Sequence, residues 1–235
     1  MFRLFTTPVW FNGWDVMFDM VSLVVALLIA AYSFRLYRIN NQNKFAYFSL
    51  AFVMVAVSLF SKIFTDSVLY YTPLRDVTAV VLQPLAGPGL QFSALLYRAA
   101  FFLQMAPLLG AWLLIFFISQ KSRDRLHRFY ELSQIGLFVY LVLLVSFVSN
   151  FRYFVFYLTS AVLLALIVLN YYKNYLNTDK NKNAKMVMIS FVFILLAQFF
   201  FIFVFMVPGL YVIGELLMLI GFLLILYAYG RVTRT

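Results

Sequence analysis

The chain has few of the side chains from which most catalytic and metal sites are built. It contains no cysteine and a single histidine, His127, which lies among basic residues. Disulfides, thiolate chemistry, Cys/His zinc sites and haem held by two axial histidines are therefore excluded. No glycine-rich phosphate-binding motif is present, and no spacing suggests a nucleophile beside a base. We therefore predict that the protein is not an enzyme and carries no cofactor.

Charged residues are also scarce. They make up 11% of the chain, while 65% of the residues are hydrophobic and the mean hydropathy is +0.96. A soluble domain needs a polar surface, usually with about 25% charged residues, so the surroundings of this protein must be apolar. The net charge of +10 does not indicate nucleic acid, because the basic residues lie in short runs between apolar segments. The sequence predicts an integral membrane protein whose main partner is the lipid bilayer.

Seven apolar runs reach the length of about 20 residues that a helix needs to span a bilayer. They are too long and too uniformly apolar for barrel strands, which alternate over about 10 residues. We predict an all-α seven-helix bundle that forms a single domain over residues 1–235. The predicted helices cover residues 14–37, 45–71, 93–119, 130–149, 154–176, 186–207 and 211–229.

Two segments outside these runs have patterns of their own. Residues 1–13 include Trp10 and Phe11 among four large aromatic residues, which suits a stretch lying at the outer membrane interface. Residues 72–92 begin with apolar side chains at helical spacing and continue with glycines and prolines. This pattern predicts a short amphipathic helix on the outer surface followed by a hinge. An ordered loop without a helix is the alternative.

The distribution of lysine and arginine predicts the orientation. Of the 18 basic residues, 13 lie at one set of connections and helix ends, and 5 lie on the opposite side or inside helices. Because cytoplasmic loops carry the excess of positive charge, we place the N-terminus outside the cell and the C-terminus in the cytoplasm. The predicted location is the cell membrane. The 13 are Arg35, Arg38, Lys44, Lys121, Arg123, Arg125, Arg128, Lys173, Lys180, Lys182, Lys185, Arg231 and Arg234.

The first two helices resemble the fifth and sixth in sequence. This similarity predicts two parallel three-helix units joined by the fourth helix, although apolar helices also align by chance. The strongest matches are Ser22 with Ser160, Leu28 with Leu166, Arg35 with Lys173 and, after a three-residue shift, Ser49 with Ser190.

A three-plus-one-plus-three plan resembles those of the microbial rhodopsins and the PQ-loop sugar transporters. The seven-helix sensor modules that precede bacterial histidine kinases are similar in helix number. The resemblance covers length and topology and does not extend to motifs. Residues 211–229 contain no lysine to hold retinal, and neither the first nor the fifth helix contains the proline of a Pro-Gln pair. No family is assigned on these grounds.

Charged residues inside the apolar runs predict a functional site, because a charge in hydrocarbon costs several kcal/mol unless it has a partner or water. At about 1.5 Å per residue, five of them reach the same outer layer: Asp19, Lys62, Asp66, Arg98 and Glu215. We expect a ligand-binding cavity that is open to the outside. Ion pairs that only join helices, or side chains that reach the headgroups, are the alternatives.

Two glutamines, Gln104 and Gln198, lie deeper and would form the floor of this cavity, where Pro107 is expected to kink its helix. Lys62 is the deepest charge. We predict a carboxylate within ion-pair distance of its amine, with Asp66 four residues away and Asp19 or Glu215 contributing from neighbouring helices.

Three function classes follow from this pattern. The first is a protein that binds or senses a small ligand or proton and acts through a separate protein in the membrane or at its cytoplasmic face. An accessory or scaffold subunit of a larger membrane complex is the second. The third is a small-molecule transporter built from the two three-helix units.

Overall fold

The computed structural model describes residues 8–71, 73, 77–78, 92–120, 127–148, 152–178 and 181–232. All regular structure in these ranges is helical, beginning with a single 3-10 turn at Val9–Phe11. The seven longer helices are α1 (Trp14–Asn40), α2 (Asn43–Tyr70), α3 (Phe92–Ser119), α4 (His127–Leu143, extended by a π-helical turn over Leu144–Val148), α5 (Tyr153–Asn177), α6 (Lys182–Ile202) and α7 (Leu210–Val232).

Six of these helices are long and apolar enough to cross a membrane, and α4 contributes a shorter apolar stretch, Ile135–Ser146, among the described residues. Large hydrophobic side chains such as Leu27, Phe60 and Leu169 are about half exposed on the outside of the bundle. A water-soluble protein does not expose so many of them together. The chain is therefore an all-α, multi-pass membrane protein.

The helices pack as a closed ring. Helix α1 contacts α2 and α7, α2 contacts α3, α3 contacts α4 and α5, and α6 lies between α5 and α7. Buried serine hydroxyls fasten two of these contacts to backbone carbonyls, Ser49 to Ala30 at 2.8 Å and Ser58 to Gln104 at 2.7 Å. Such bonds are favourable where lipid offers the hydroxyl no partner. The ring places α1, α2 and α7 side by side.

The middle of the ring is apolar. Phe52, Trp112, Ile194 and Phe222 belong to one cluster of fully buried side chains. Glycine allows a close approach of α6 and α7, because a Cβ at Gly214 would lie 2.6 Å from the Phe201 ring. Small residues at helix contacts are characteristic of membrane bundles.

Helix α6 differs most from its prediction, since it runs from Lys182 to Ile202 rather than over residues 186–207. At its start, Asn181 accepts a hydrogen bond from the Asn183 backbone N–H at 2.9 Å, and this N-cap favours an earlier start. At its end, the chain leaves the helix in turns over residues 203–206. Pro208 disfavours helical conformation at the residue before it. The apolar sequence runs unchanged through these turns, so hydropathy does not mark the boundary.

The N-terminal segment is partly an interface segment and partly core. Trp10 is 69% exposed, as expected at a membrane surface, but Phe11 is buried. The Phe11 ring lies 5.7 Å from Phe18 of α1 and 6.3 Å from Tyr211 of α7, measured between ring centroids. The interface prediction is therefore wrong for Phe11. Three parts of the sequence prediction lie outside the described residues. They are residues 1–7, the predicted amphipathic helix within 72–92 apart from isolated positions, and the side chain of His127.

Candidate functional site

Three charged side chains from three neighbouring helices meet inside the bundle. The Nζ of Lys62 on α2 lies 3.0 Å from Oδ2 of Asp19 on α1 and 2.5 Å from Oε1 of Glu215 on α7. All three residues are at most 5% exposed. The sequence prediction that a carboxylate from another helix lies within ion-pair distance of Lys62 is thus confirmed for both Asp19 and Glu215.

This ion-paired triad lies about two turns from one end of the bundle. Asp19 and Glu215 each come five residues after the first residue of their helix, and Lys62 comes eight residues before the last residue of α2. At about 1.5 Å per residue, these positions are roughly 8–12 Å from the helix ends. The Lys62 amine also lies 5.3 Å from the centre of the Tyr211 ring, which favours the charged amine by a cation–π interaction.

Asp66 does not pair with Lys62, so that part of the prediction is wrong. The residue is 1% exposed, yet neither of its carboxyl oxygens has a hydrogen-bond partner among the described residues. Helical side chains lean towards the N-terminus of their helix, which directs the Lys62 amine away from the residue four positions later. Lys followed by an acid is also the weaker order for such a pair. Asp66 is therefore a buried carboxyl group without a hydrogen-bond or ion-pair partner among the described residues.

Asp15 provides a contrast, because it is buried in the same region with both oxygens occupied. Its Oδ1 accepts hydrogen bonds from the backbone N–H groups of Gly13 at 2.8 Å and Val16 at 2.9 Å. Its Oδ2 accepts one from the Tyr70 hydroxyl at 2.6 Å. These bonds lie at the start of α1, where a negative charge is favourable. Asp15 is a structural carboxylate that joins α1 to α2.

The remaining predicted site residues separate into core and surface. The Gln104 Oε1 accepts a hydrogen bond from the Tyr153 hydroxyl at 3.2 Å, and Gln198 is buried with its Oε1 unpartnered among the described residues. Pro107 lies within α3, which continues past it. Arg98 is exposed, unlike the other charged residues predicted for this cluster, so its place in the cluster stays a prediction.

Tyrosines are the functional residues that the sequence prediction missed. Tyr211 faces Lys62, and Tyr70 binds Asp15. Tyr157 lies close enough to Lys62, Glu215 and Asp19 to interact with them electrostatically. A helical-spacing signal was present for two of them, since Tyr211 precedes Glu215 by four residues and Tyr70 follows Asp66 by four.

The described residues do not form the open cavity that the sequence predicts. Asp19, Asp66 and Glu215 are at most 1% exposed, and the two glutamines at most 6%. Ten residues further towards the bundle centre, about 15 Å along α1 and α2, Ile29 and Phe52 belong to a cluster of fully buried apolar side chains. The charged groups are sealed between the helices, and a small organic ligand would have to displace packed side chains to reach them.

Comparison with models of known protein families, with curated proteins and with solved structures finds no match. Function must therefore be inferred from the site.

The charges of the site do not balance. Asp19, Asp66 and Glu215 contribute three carboxyl groups against the single amine of Lys62, so full ionisation would leave a net charge of −2 in the buried interior. Such a charge is strongly unfavourable without a counter-ion. Among the described residues, no group of three or more His, Asp or Glu side chains is arranged to hold a metal ion. Protonation of one carboxyl group would remove one of the two excess charges.

Proposed function

We propose that this protein is a proton-responsive membrane receptor that binds a proton at Asp66 and acts through a separate protein at its cytoplasmic face. The observation that carries the proposal is that buried Asp66 has no partner in the described part of the chain, beside a lysine whose charge is already shared by Asp19 and Glu215. Protonation lets Asp66 remain buried without a counter-ion. Release of that proton would create a second excess negative charge.

The helix contacts supply a way to pass this change on. An ionised Asp66 would attract the Lys62 amine and compete with Asp19 and Glu215 for it. Those two carboxylates are on α1 and α7, so any shift of the amine alters how three adjacent helices are held together. Breaking or making a buried ion pair changes free energy by several kcal/mol, which is enough to move a two-state equilibrium.

Other titratable groups border Asp66 and take part in its balance. The carboxyl groups of Asp15 and Glu215 and the amine of Lys62 are close enough to interact with Asp66 electrostatically. Tyr153 and Tyr157 of α5 and Tyr211 of α7 also lie within electrostatic reach of Asp66. Asp15 is held by three hydrogen bonds, which leaves Asp66 as the carboxyl group that depends on a proton.

An apolar layer deeper in the bundle favours binding over transport. A transporter would need a polar site at the bilayer midplane, usually formed where a helix is broken. Here Ala26, Ile29 and Phe52 are fully buried and apolar in the layer on the central side of the triad, and α3 continues through Pro107.

The arrangement in the membrane completes the proposal. We infer seven spans, with α4 as the seventh, the N-terminus outside and the C-terminus in the cytoplasm. The excess of lysine and arginine at the ends of α1, α5 and α7 supports this orientation. The parallel repeat is supported by the glycine contacts, because Gly110 of α3 approaches Met54 of α2 as Gly221 of α7 approaches Ile194 of α6.

Cysteine labelling tests the orientation, and the cysteine-free chain is a clean background for it. We expect Asn12→Cys to react with a membrane-impermeant maleimide in intact cells and Thr178→Cys to react only after permeabilisation. Both positions are exposed in the structure. Labelling of Thr178→Cys in intact cells would reverse the proposed orientation.

Infrared spectroscopy tests the proton site. At neutral pH, the wild-type protein should show the carbonyl band of a protonated carboxyl group buried in an apolar environment, and Asp66→Asn should remove it. The band should disappear from the wild-type spectrum as the pH is raised, since Asp66 then loses its proton. The matched control is Asp15→Asn, which changes a buried aspartate that already has three hydrogen bonds. A band that persists in Asp66→Asn and vanishes in Asp15→Asn would assign the proton to the wrong residue and contradict the proposal.

A further inference from the structure

A second polar feature lies at the opposite end of the bundle from the triad. There the ends of α1, α2, α5, α6 and α7 surround a cavity of about 200 Å³. Its lining is mainly apolar and aromatic, and the amide side chains of Asn174 and Asn183 lie among these walls. Pockets of this kind, with a few polar groups on an apolar lining, are typical small-ligand sites. The proton site makes no use of this cavity.

The aromatic walls of the cavity are held in place by ring stacking. Tyr171 stacks on Phe191 with ring centroids 5.0 Å apart and planes 10° from parallel. Tyr229 stacks on Phe48 at 4.9 Å and 18°. Because these rings are packed before any ligand arrives, little ordering is needed on binding.

Basic residues are next in the chain to several residues that line the cavity. Five lysines or arginines are direct chain neighbours of lining residues: Arg35, Lys44, Lys173, Lys182 and Lys185. All of them are exposed, and their side chains are long enough to reach over an adjacent residue. In the sequence, the connections and helix ends predicted to lie on this side hold 13 basic residues against three acidic ones, Asp124, Glu131 and Asp179. The mouth is therefore strongly positive, while the lining is uncharged.

We propose that this cavity binds the headgroup of an anionic phospholipid. The asparagine amides can donate hydrogen bonds to phosphate oxygens, the basic rim supplies the opposite charge, and the aromatic walls suit the apolar part of the headgroup region. The mouth opens where helices end, which is the level of the headgroups in a membrane-spanning bundle. The inference is independent of the proton site and rests only on the embedding of the bundle in a bilayer.

Native mass spectrometry of the full-length protein with added phosphatidylglycerol or phosphatidylcholine tests this site. We expect one phosphatidylglycerol to be retained in preference to phosphatidylcholine by more than about tenfold, since each basic residue near an anionic lipid contributes roughly a fivefold gain in affinity. Ala184→Trp fills the cavity and keeps every charge, so it should abolish this preference. The matched control is Leu169→Trp, which adds the same ring at a 55% exposed position outside the cavity.

Each outcome decides the proposal. If Ala184→Trp retains phosphatidylglycerol like the wild type, the lipid associates with the positive end in general and the cavity is not its site. If that variant does not fold, Asn183→Leu is the substitute, because it removes one amide and changes the volume of the cavity little. Unchanged retention of phosphatidylglycerol by Asn183→Leu would also contradict the proposal. Lys182→Gln combined with Lys185→Gln leaves the cavity open and should reduce retention of phosphatidylglycerol only. Displacement of the lipid by millimolar inorganic phosphate would show that the site takes a free anion instead.

Discussion

Lys62→Met is expected to lower the free energy of unfolding by about 3–5 kcal/mol, the usual effect of removing one partner from a buried ion pair. Methionine fills a similar volume, so the loss is electrostatic rather than a packing defect. The carboxyl groups of Asp19, Glu215 and Asp66 would then lie close together without a positive charge among them. The measurement is thermal or denaturant unfolding of the purified protein in detergent at neutral pH.

A rescue experiment separates this charge effect from other damage. Lys62→Met combined with Asp19→Asn and Glu215→Gln removes the excess negative charge, and it should restore most of the lost stability, because replacing a whole buried ion pair is far less costly than breaking it. Lys44→Met, on the same helix at an exposed position, should change stability by no more than about 0.5 kcal/mol. If Lys62→Met behaved like Lys44→Met, the triad would not hold the three helices together, and the proposed receptor mechanism would lose its basis.

Gly221→Leu is expected to destabilise the protein by about 3 kcal/mol or more, at the upper end of the range for overpacked cores. A Cβ at this position would lie 2.5 Å from Cγ1 of Ile194 and 3.0 Å from the backbone oxygen of Ser190 on α6. The backbone oxygen cannot rotate away, so α6 and α7 must separate. Glu215 lies six residues before Gly221 on α7, about 9 Å along the helix, so its position relative to Lys62 should change as well.

The matched control for this variant is Gly136→Leu on α4, where nothing lies within 4 Å of an added Cβ. Leucine is favoured over glycine inside a helix by close to 1 kcal/mol, so this control should be neutral or slightly stabilising. Unfolding in detergent compares the two variants directly. Equal stability of both would show that the close contact between α6 and α7 is not needed.

The lengths of the helices follow from the sequence with good accuracy because a bilayer leaves the backbone no other way to satisfy its hydrogen bonds. Helices α1, α2, α3, α5 and α7 begin and end within three residues of their predictions, and so does α4 when its π-helical turn is included. Helix α6 is the exception, since it ends at Ile202 and the following turns are as apolar as the helix. Hydropathy measures transfer into lipid and cannot distinguish an apolar helix from an apolar turn packed against other helices.

The members of the site also follow from the sequence, but their pairing does not. Burying a charge is costly wherever it occurs, so Asp19, Lys62, Asp66 and Glu215 could be identified by their positions alone. Position along a helix determines depth, whereas rotation about the helix axis and the choice of neighbours depend on packing. This is why Arg98, at a similar depth, faces outward, and why the partners of Lys62 are on α1 and α7 rather than four residues away.

The sequence by itself determined that this protein is an all-α membrane protein with ionisable residues in a single layer near one end. The reason is that the free energy of transfer from water into lipid is a sum of separate contributions from each residue along the chain. Only the tertiary structure decided that the layer is sealed, that Lys62 is shared by Asp19 and Glu215, and that Asp66 has no described partner. Those features depend on which helices are adjacent and on how closely Gly214 and Gly221 let α6 and α7 approach. Contacts of this kind arise from many side chains fitting together, and no single stretch of sequence contains them.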